Sequence, residues 1–184
     1  MNLLHNLKIR DGWHAVGEAH LSVLKTFLLL ALPFSLIPPL MLIYAGNHHA
    51  ASYLIDASPA RWTEIASAFL IAELITVPLM GWVIKSIAAT HHIEINFKDA
   101  FLLATISALP MWLSAFGLAI PHLWGMIGII VSGFFVTAIV LYRGSFSILK
   151  LEQIEAQLLS SQVLAVGGIV WVLLCAFVVL PLLS

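Results

Sequence analysis

Residues 158–182 read LLSSQVLAVGGIVWVLLCAFVVLPL, a run with no charged side chain. A helix needs about 20 predominantly apolar residues to cross the hydrocarbon core of a bilayer. This run meets that length, and working towards the N-terminus four more do: residues 26–45, 62–89, 100–120 and 122–142. The whole chain agrees, with 61% hydrophobic and only 9% charged residues, where a soluble domain carries about 25% charged residues. A soluble fold of this size would expose apolar patches that aggregate, whereas lipid acts as their solvent. The expected fold is all-α: a polytopic integral membrane protein, one domain over residues 1–184, built as a bundle of five transmembrane helices. Pro121 leaves little room between the third and fourth spans. They should form a tight hairpin, with Pro121 in the turn or at the first position of a helix.

Loop charge sets orientation. Seven of the 8 Lys and Arg residues fall on one side of the five-span arrangement: Lys8, Arg10, Lys25, Lys85, Lys98, Arg143 and Lys150. Arg61 alone falls on the other. The N-terminus is therefore expected in the cytoplasm and the C-terminus outside, and the sparse loops suggest a bacterial inner membrane. Trp13 and Tyr142 then lie at the inner interface, and Tyr44, Trp62 and Trp124 at the outer one, where aromatic belts are common. The first span is expected to stay in the mature chain, since its leading segment is too long for a signal peptide and has its own pattern.

That leading segment, residues 1–25, reads as a cytoplasmic amphipathic helix lying in the interface. Trp13, Val16, Gly17, His20, Leu21 and Leu24 recur at helical spacing, opposite His14, Glu18, Ser22 and Lys25. A weaker stripe, Ile148, Leu151, Ile154 and Leu158, has two readings: a short helix resting on the bilayer, or a cytoplasmic extension of the fifth span.

Glu73 is the leading candidate for chemistry. It lies eleven residues past Trp62, about 16 Å deep at ~1.5 Å per residue, near the membrane centre. An ionisable residue there is costly and is by default a functional-site hypothesis. Without water around it a carboxyl favours its neutral form, which can equally serve as a packing clamp by donating a hydrogen bond to another helix. Expected companions are Thr76 on the same face, Ser114 on the third span and Ser132 on the fourth. Pro33, Pro38, Pro39, Pro78 and Pro110 each remove a backbone donor and should kink their helices. Small residues four apart, Gly128 with Ser132 and Gly133 with Thr137, mark candidate packing faces.

Other chemistry finds little footing. His48, His49 and His122 share one side and His91, His92 and Glu94 the other, without the spacing of a metal-binding motif, so no metal and no cofactor is expected. No nucleophile elbow, P-loop or dinucleotide fingerprint is present. Cys175, the one cysteine, has no activating base nearby in sequence. An intramembrane enzyme built from Glu73, Ser114 and His122 would need residues at unequal depths. No cluster of Lys and Arg suits nucleic acid.

Several pieces in order carry a family resemblance: Gly12-Trp13, Pro33-Phe-Ser-Leu-Ile-Pro38-Pro39, Ala45-Gly46, Val77-Pro78-Leu79-Met80-Gly81, Ala100-Phe101, Ala108-Leu109-Pro110-Met111-Trp112 and Leu141-Tyr142-Arg143-Gly144. The chain resembles the bacterial branch of the Yip (Ypt-interacting protein) domain family. Its family-like positions are Trp13, Gly81, Trp112, Tyr142 and Gly144. The resemblance implies five membrane helices and a cytoplasmic N-terminus. Eukaryotic relatives are associated with Rab-type GTPases, but this sequence lacks their Asp-Leu-Tyr-Gly-Pro type motif, so Rab binding is not carried over. The expected function is non-enzymatic: membrane organisation, lipid interaction or scaffolding, with membrane lipids, other membrane proteins or a second copy of the chain as partners. The alternative is a small oligomeric channel or transporter that uses Glu73.

Overall fold

The computed structural model describes residues 21–183. All of the interfacial segment before Leu21, Trp13 included, lies outside them. Among the described residues there is no strand, and five helical stretches are long and apolar enough to cross a membrane.

Proline decides the shape of the first span, Val23–His48. It opens as α1, Val23–Thr26, where the Ser22 hydroxyl accepts from the Lys25 amide. A π-helical turn, Phe27–Ala31, follows, and then α2, Leu32–Ser35. In a regular helix the Pro33 ring would strike the Leu29 carbonyl, and the widened turn falls where that carbonyl lies. The chain breaks at Leu36 and restarts as α3, Ile37–His48, with Pro38 and Pro39 in its first turn. There a missing N–H costs nothing.

The second span is α4, Pro59–Thr90, started by a Ser58 cap and by proline at its first position. It runs on through Pro78 as one helix. The third, α5, is Phe97–Ser114, with Asp99 in its first turn, where the helix dipole favours an acid. Pro110 lies inside it, and past Ser114 it tightens into a 3₁₀ turn, Ala115–Ala119. Pro121 occupies the turn rather than a first helical position, because His122 caps the next helix, α6, Leu123–Ser147. The fifth span is α7, Gln153–Leu183.

Between α6 and α7 the chain folds inward. Ile148, Leu149 and Leu151 are buried, and Lys150 adopts a left-handed backbone, φ 56°. Ile154 and Leu158 lie on α7 and face outward. The stripe is therefore no separate surface helix. Its second half extends the fifth span, and its first half plugs the bundle.

α4 packs on α5, α5 on α6, α6 on α7, and α7 back on α4. The first span lies outside this ring, against α4, α5 and the 3₁₀ turn after α5. One core cluster, around Ile84, Leu103, Leu141 and Leu159, closes the end that carries Lys85, Lys98 and Arg143. Another, around Leu42, Tyr53, Trp62, Val178 and Leu182, packs at the opposite end. Trp62 is thus no belt residue. It is 3% exposed and sits on Gly46, where any Cβ would overlap its ring. Trp124, by contrast, is 74% exposed. Ile71, Ile75, Phe135, Ile169 and Leu173 also face outward, as lipid requires.

Candidate intramembrane site

Glu73 is 6% exposed, on the face of α4 turned towards α5. The Trp112 indole donates to its Oε1 at 2.9 Å. Trp112 is itself 3% exposed, and an indole N–H is a donor only, so in an apolar bundle it needs an acceptor. The second carboxyl oxygen, Oε2, is buried with no partner among the described residues.

The expected hydroxyl partners are occupied elsewhere. Thr76 donates to the Ala72 carbonyl, Ser114 to Met111 and Ser132 to Gly128, each at 2.7 Å. Ser and Thr in a membrane helix commonly satisfy themselves this way, on the carbonyl a turn back. Ser132 is exposed on the outer face of α6 and a Cβ on Gly128 would meet nothing, so that pair packs on no other helix here. Gly133, by contrast, lies against Ser114 and the Pro110 carbonyl. Reading the sequence for polar residues at the depth of Glu73 overlooked Trp112, which stood out only as a family-like position. The available signal was its indole, a buried donor in search of an acceptor.

Between the helices of the ring, with Pro38 and Leu42 of α3 also in its wall, lies a cavity of about 500 Å³. Its wall on α4 runs from Trp62 to Ile84, about 33 Å at ~1.5 Å per residue, close to the thickness of the hydrocarbon core. The lining is almost wholly apolar and, among the described residues, holds no Lys, Arg or His. Aromatic rings of Phe69, Trp112, Phe134 and Trp171 contribute, as does the Cys175 thiol. Val179 and Leu183, also in the wall, are exposed, so the cavity reaches the outer surface of α7.

Glu73, Thr76, Ser107, Ser114 and Thr137 are polar residues of this wall; Ser132 is not. Two contacts set their depths. Glu73 meets Trp112, and a Cβ on Gly81 would lie 3.0 Å from Phe101 Cα, so the antiparallel pair places Ser107 level with Thr76. Gly133 meets Pro110 and Ser114, which puts Thr137, one turn further on, at that same level. Ser107 Oγ and Thr137 Oγ1 are buried and, like Glu73 Oε2, make no hydrogen bond among the described residues.

At the end opposite the lysines, Tyr53 closes the wall. Its hydroxyl lies 2.8 Å from the Leu118 carbonyl and 2.7 Å from that of Ile120. Burial pushes its pKa above the usual 10.0. Three histidines have partners: His48 Nδ1 lies 2.9 Å from the Tyr44 carbonyl and His122 caps α6, both on their own helices, while His91 Nε2 lies 3.0 Å from Gln162 Oε1 on α7. Among the described residues no three His, Cys, Asp or Glu side chains converge as a metal site would require.

The chain matches the Yip1 domain over residues 5–174. It belongs to the Yip1 domain family. Curated proteins and solved structures give no match. The Yip1 match takes in the first four spans and most of the fifth, ending within α7. Several of its residues have structural roles in view. Trp112 holds Glu73, Gly81 lets α4 approach the Phe101 backbone, Gly144 is buried at the end of α6, and Tyr142 stacks edge-on against Phe146, centroids 4.9 Å apart. This Yip1-domain protein is a multi-pass membrane protein.

Proposed function

We propose that this Yip1-domain protein acts without catalysis, binding membrane lipid within its bundle and so organising the bilayer or the membrane proteins around it. The observation that carries this reading is the cavity of about 500 Å³ between the helices, apolar in its lining and reaching the surface at α7. Ligand pockets typically measure about 300–1,000 Å³, mostly apolar with a few placed polar groups. An acyl chain fits a long apolar slot of membrane height better than any hydrated solute does.

The channel or transporter reading has less behind it. An ion path needs a succession of polar groups or charges, whereas Glu73 is held by Trp112 in an almost wholly apolar wall. The proposal places the chain in a bacterial inner membrane with its N-terminus in the cytoplasm, supported by the seven Lys and Arg residues that share one side. One domain over 1–184 and contact with further copies or other membrane proteins belong to the same reading.

Native mass spectrometry of the purified protein tests it. Bound lipid should survive detergent removal from the wild type and fall several-fold in Gly167→Leu, whose added side chain starts from a wall position 3.6 Å from Met80 Cε. Lipid-free wild-type protein, or unchanged lipid in the variant, would count against the proposal.

A further inference from the structure

We propose that the cavity selects a long-chain lipid whose polar end is an uncharged hydroxyl, held by Glu73, Ser107 and Thr137. This rests on the lipid-binding reading and names the class of lipid.

The first argument is the state of the hydroxyls. Thr63, Thr76, Thr105, Ser132 and Ser145 each donate to the carbonyl one turn back on their own helix. Ser107 and Thr137 do not, although both sit in helices with such a carbonyl available. Both belong to the cavity wall, at one depth, on α5 and α6. Glu73 adds a buried oxygen without a partner, one turn away on α4. Leaving a buried polar atom unmatched costs about 1–3 kcal/mol. Four such atoms belong to residues of the cavity wall, the Trp62 indole nitrogen towards one end and these three at mid-depth; with the Ser107 and Thr137 hydroxyls turned inward, the three form a polar station that a ligand in the cavity would complete.

The second argument is charge. A phosphate or carboxylate headgroup would meet Glu73 with no Lys, Arg or His in the described lining to balance it. A cationic headgroup would have to shed its water in an apolar chamber, which costs several kcal/mol per ion. A hydroxyl avoids both. It donates one hydrogen bond and accepts another, the pattern that a carboxyl oxygen and two side-chain hydroxyls complement. Its chain would fill the apolar remainder of the slot.

The experiment uses brominated C18 probes in bicelles, because bromine quenches tryptophan on contact. Trp62, Trp112 and Trp171 line the cavity. Trp13, Trp82 and Trp124 are replaced by Phe to leave those three as reporters. The probes are a monoglyceride, the matching alcohol, the bromoalkane, the fatty acid and the amine. The two hydroxylated probes should quench at mole fractions about five- to ten-fold lower than the bromoalkane, the factor that one net hydrogen bond supplies. Ser107→Ala/Thr137→Val, which keeps side-chain size, should erase that preference while the bromoalkane still quenches. Ser132→Ala, on the outer face, should leave it intact. Equal quenching by all five probes overturns this inference and leaves the lipid-binding reading standing. So does a preference for the acid or the amine, or one that survives in Ser107→Ala/Thr137→Val. Quenching by none of the probes overturns both.

Discussion

Breaking the bond between Trp112 and Glu73 should reveal a strongly coupled pair. Trp112→Phe removes the N–H that reaches Glu73 Oε1 at 2.9 Å and leaves a carboxyl that is 6% exposed with no donor on either oxygen. An unmatched buried group costs about 1–3 kcal/mol, and replacing indole by phenyl adds a packing loss at a residue only 3% exposed. Glu73→Leu has the opposite defect, because it strands the indole N–H. The double variant has neither unmatched group, and replacing both partners by apolar groups is often nearly neutral. A double-mutant cycle should therefore show the pair less destabilised than the sum of the singles. The coupling expected is about 1–2 kcal/mol, between the unmatched-group cost and the values of up to about 1.7 kcal/mol found for hydrogen bonds between membrane helices. The assay is reversible unfolding in mixed micelles, followed by far-ultraviolet circular dichroism. Glu73→Gln, which keeps an oxygen for Trp112, should lose less than Glu73→Leu. Single variants that add to within about 0.5 kcal/mol would refute the reasoning, since additivity is the behaviour of independent sites.

Gly46→Ala should cost about 1–3 kcal/mol in the same assay, because its Cβ overlaps the Trp62 ring, whereas Gly128→Ala, with open space around it, should be neutral or slightly stabilising; equal effects would contradict the packing described. Tyr53→Phe should cost about 0.5–1.5 kcal/mol by releasing the carbonyls of Leu118 and Ile120. Burial raises the Tyr53 pKa in the folded state, so its contribution is complete below the unfolded pKa near 10 and is lost as pH rises through the folded value; unfolding against pH should show an alkaline loss that Tyr53→Phe reduces. For orientation, a cysteine at Leu54, 83% exposed, should react with an impermeant maleimide in intact cells in a Cys175→Ala background, and one at Glu152 should react only after lysis. The reverse pattern would overturn the proposed topology.

The five spans were legible from the sequence alone because lipid imposes a local rule. Each crossing must satisfy its own backbone within one helix and present about 20 apolar residues in a row, and residues 158–182 satisfy that rule without reference to any other part of the chain. The break in the first span was legible too, since Pro33, Pro38 and Pro39 act on carbonyls four residues back. Depth along a span also follows from counting, which is how Glu73 stood out. Which side of a helix faces protein does not follow, because lipid and packed side chains are equally apolar and no polar–apolar stripe separates them. Ser132 and Ser114 therefore looked alike as partners for Glu73, yet one faces outward and the other lines the cavity. Trp62 looked like a belt residue until Gly46 made room for it. Trp112 found Glu73 across 39 positions of sequence, a pairing set by how α4 and α5 pack. The cavity is walled by α3 together with α4, α5, α6 and α7, and enclosure of that kind is a property of several helices together, decided by the tertiary structure.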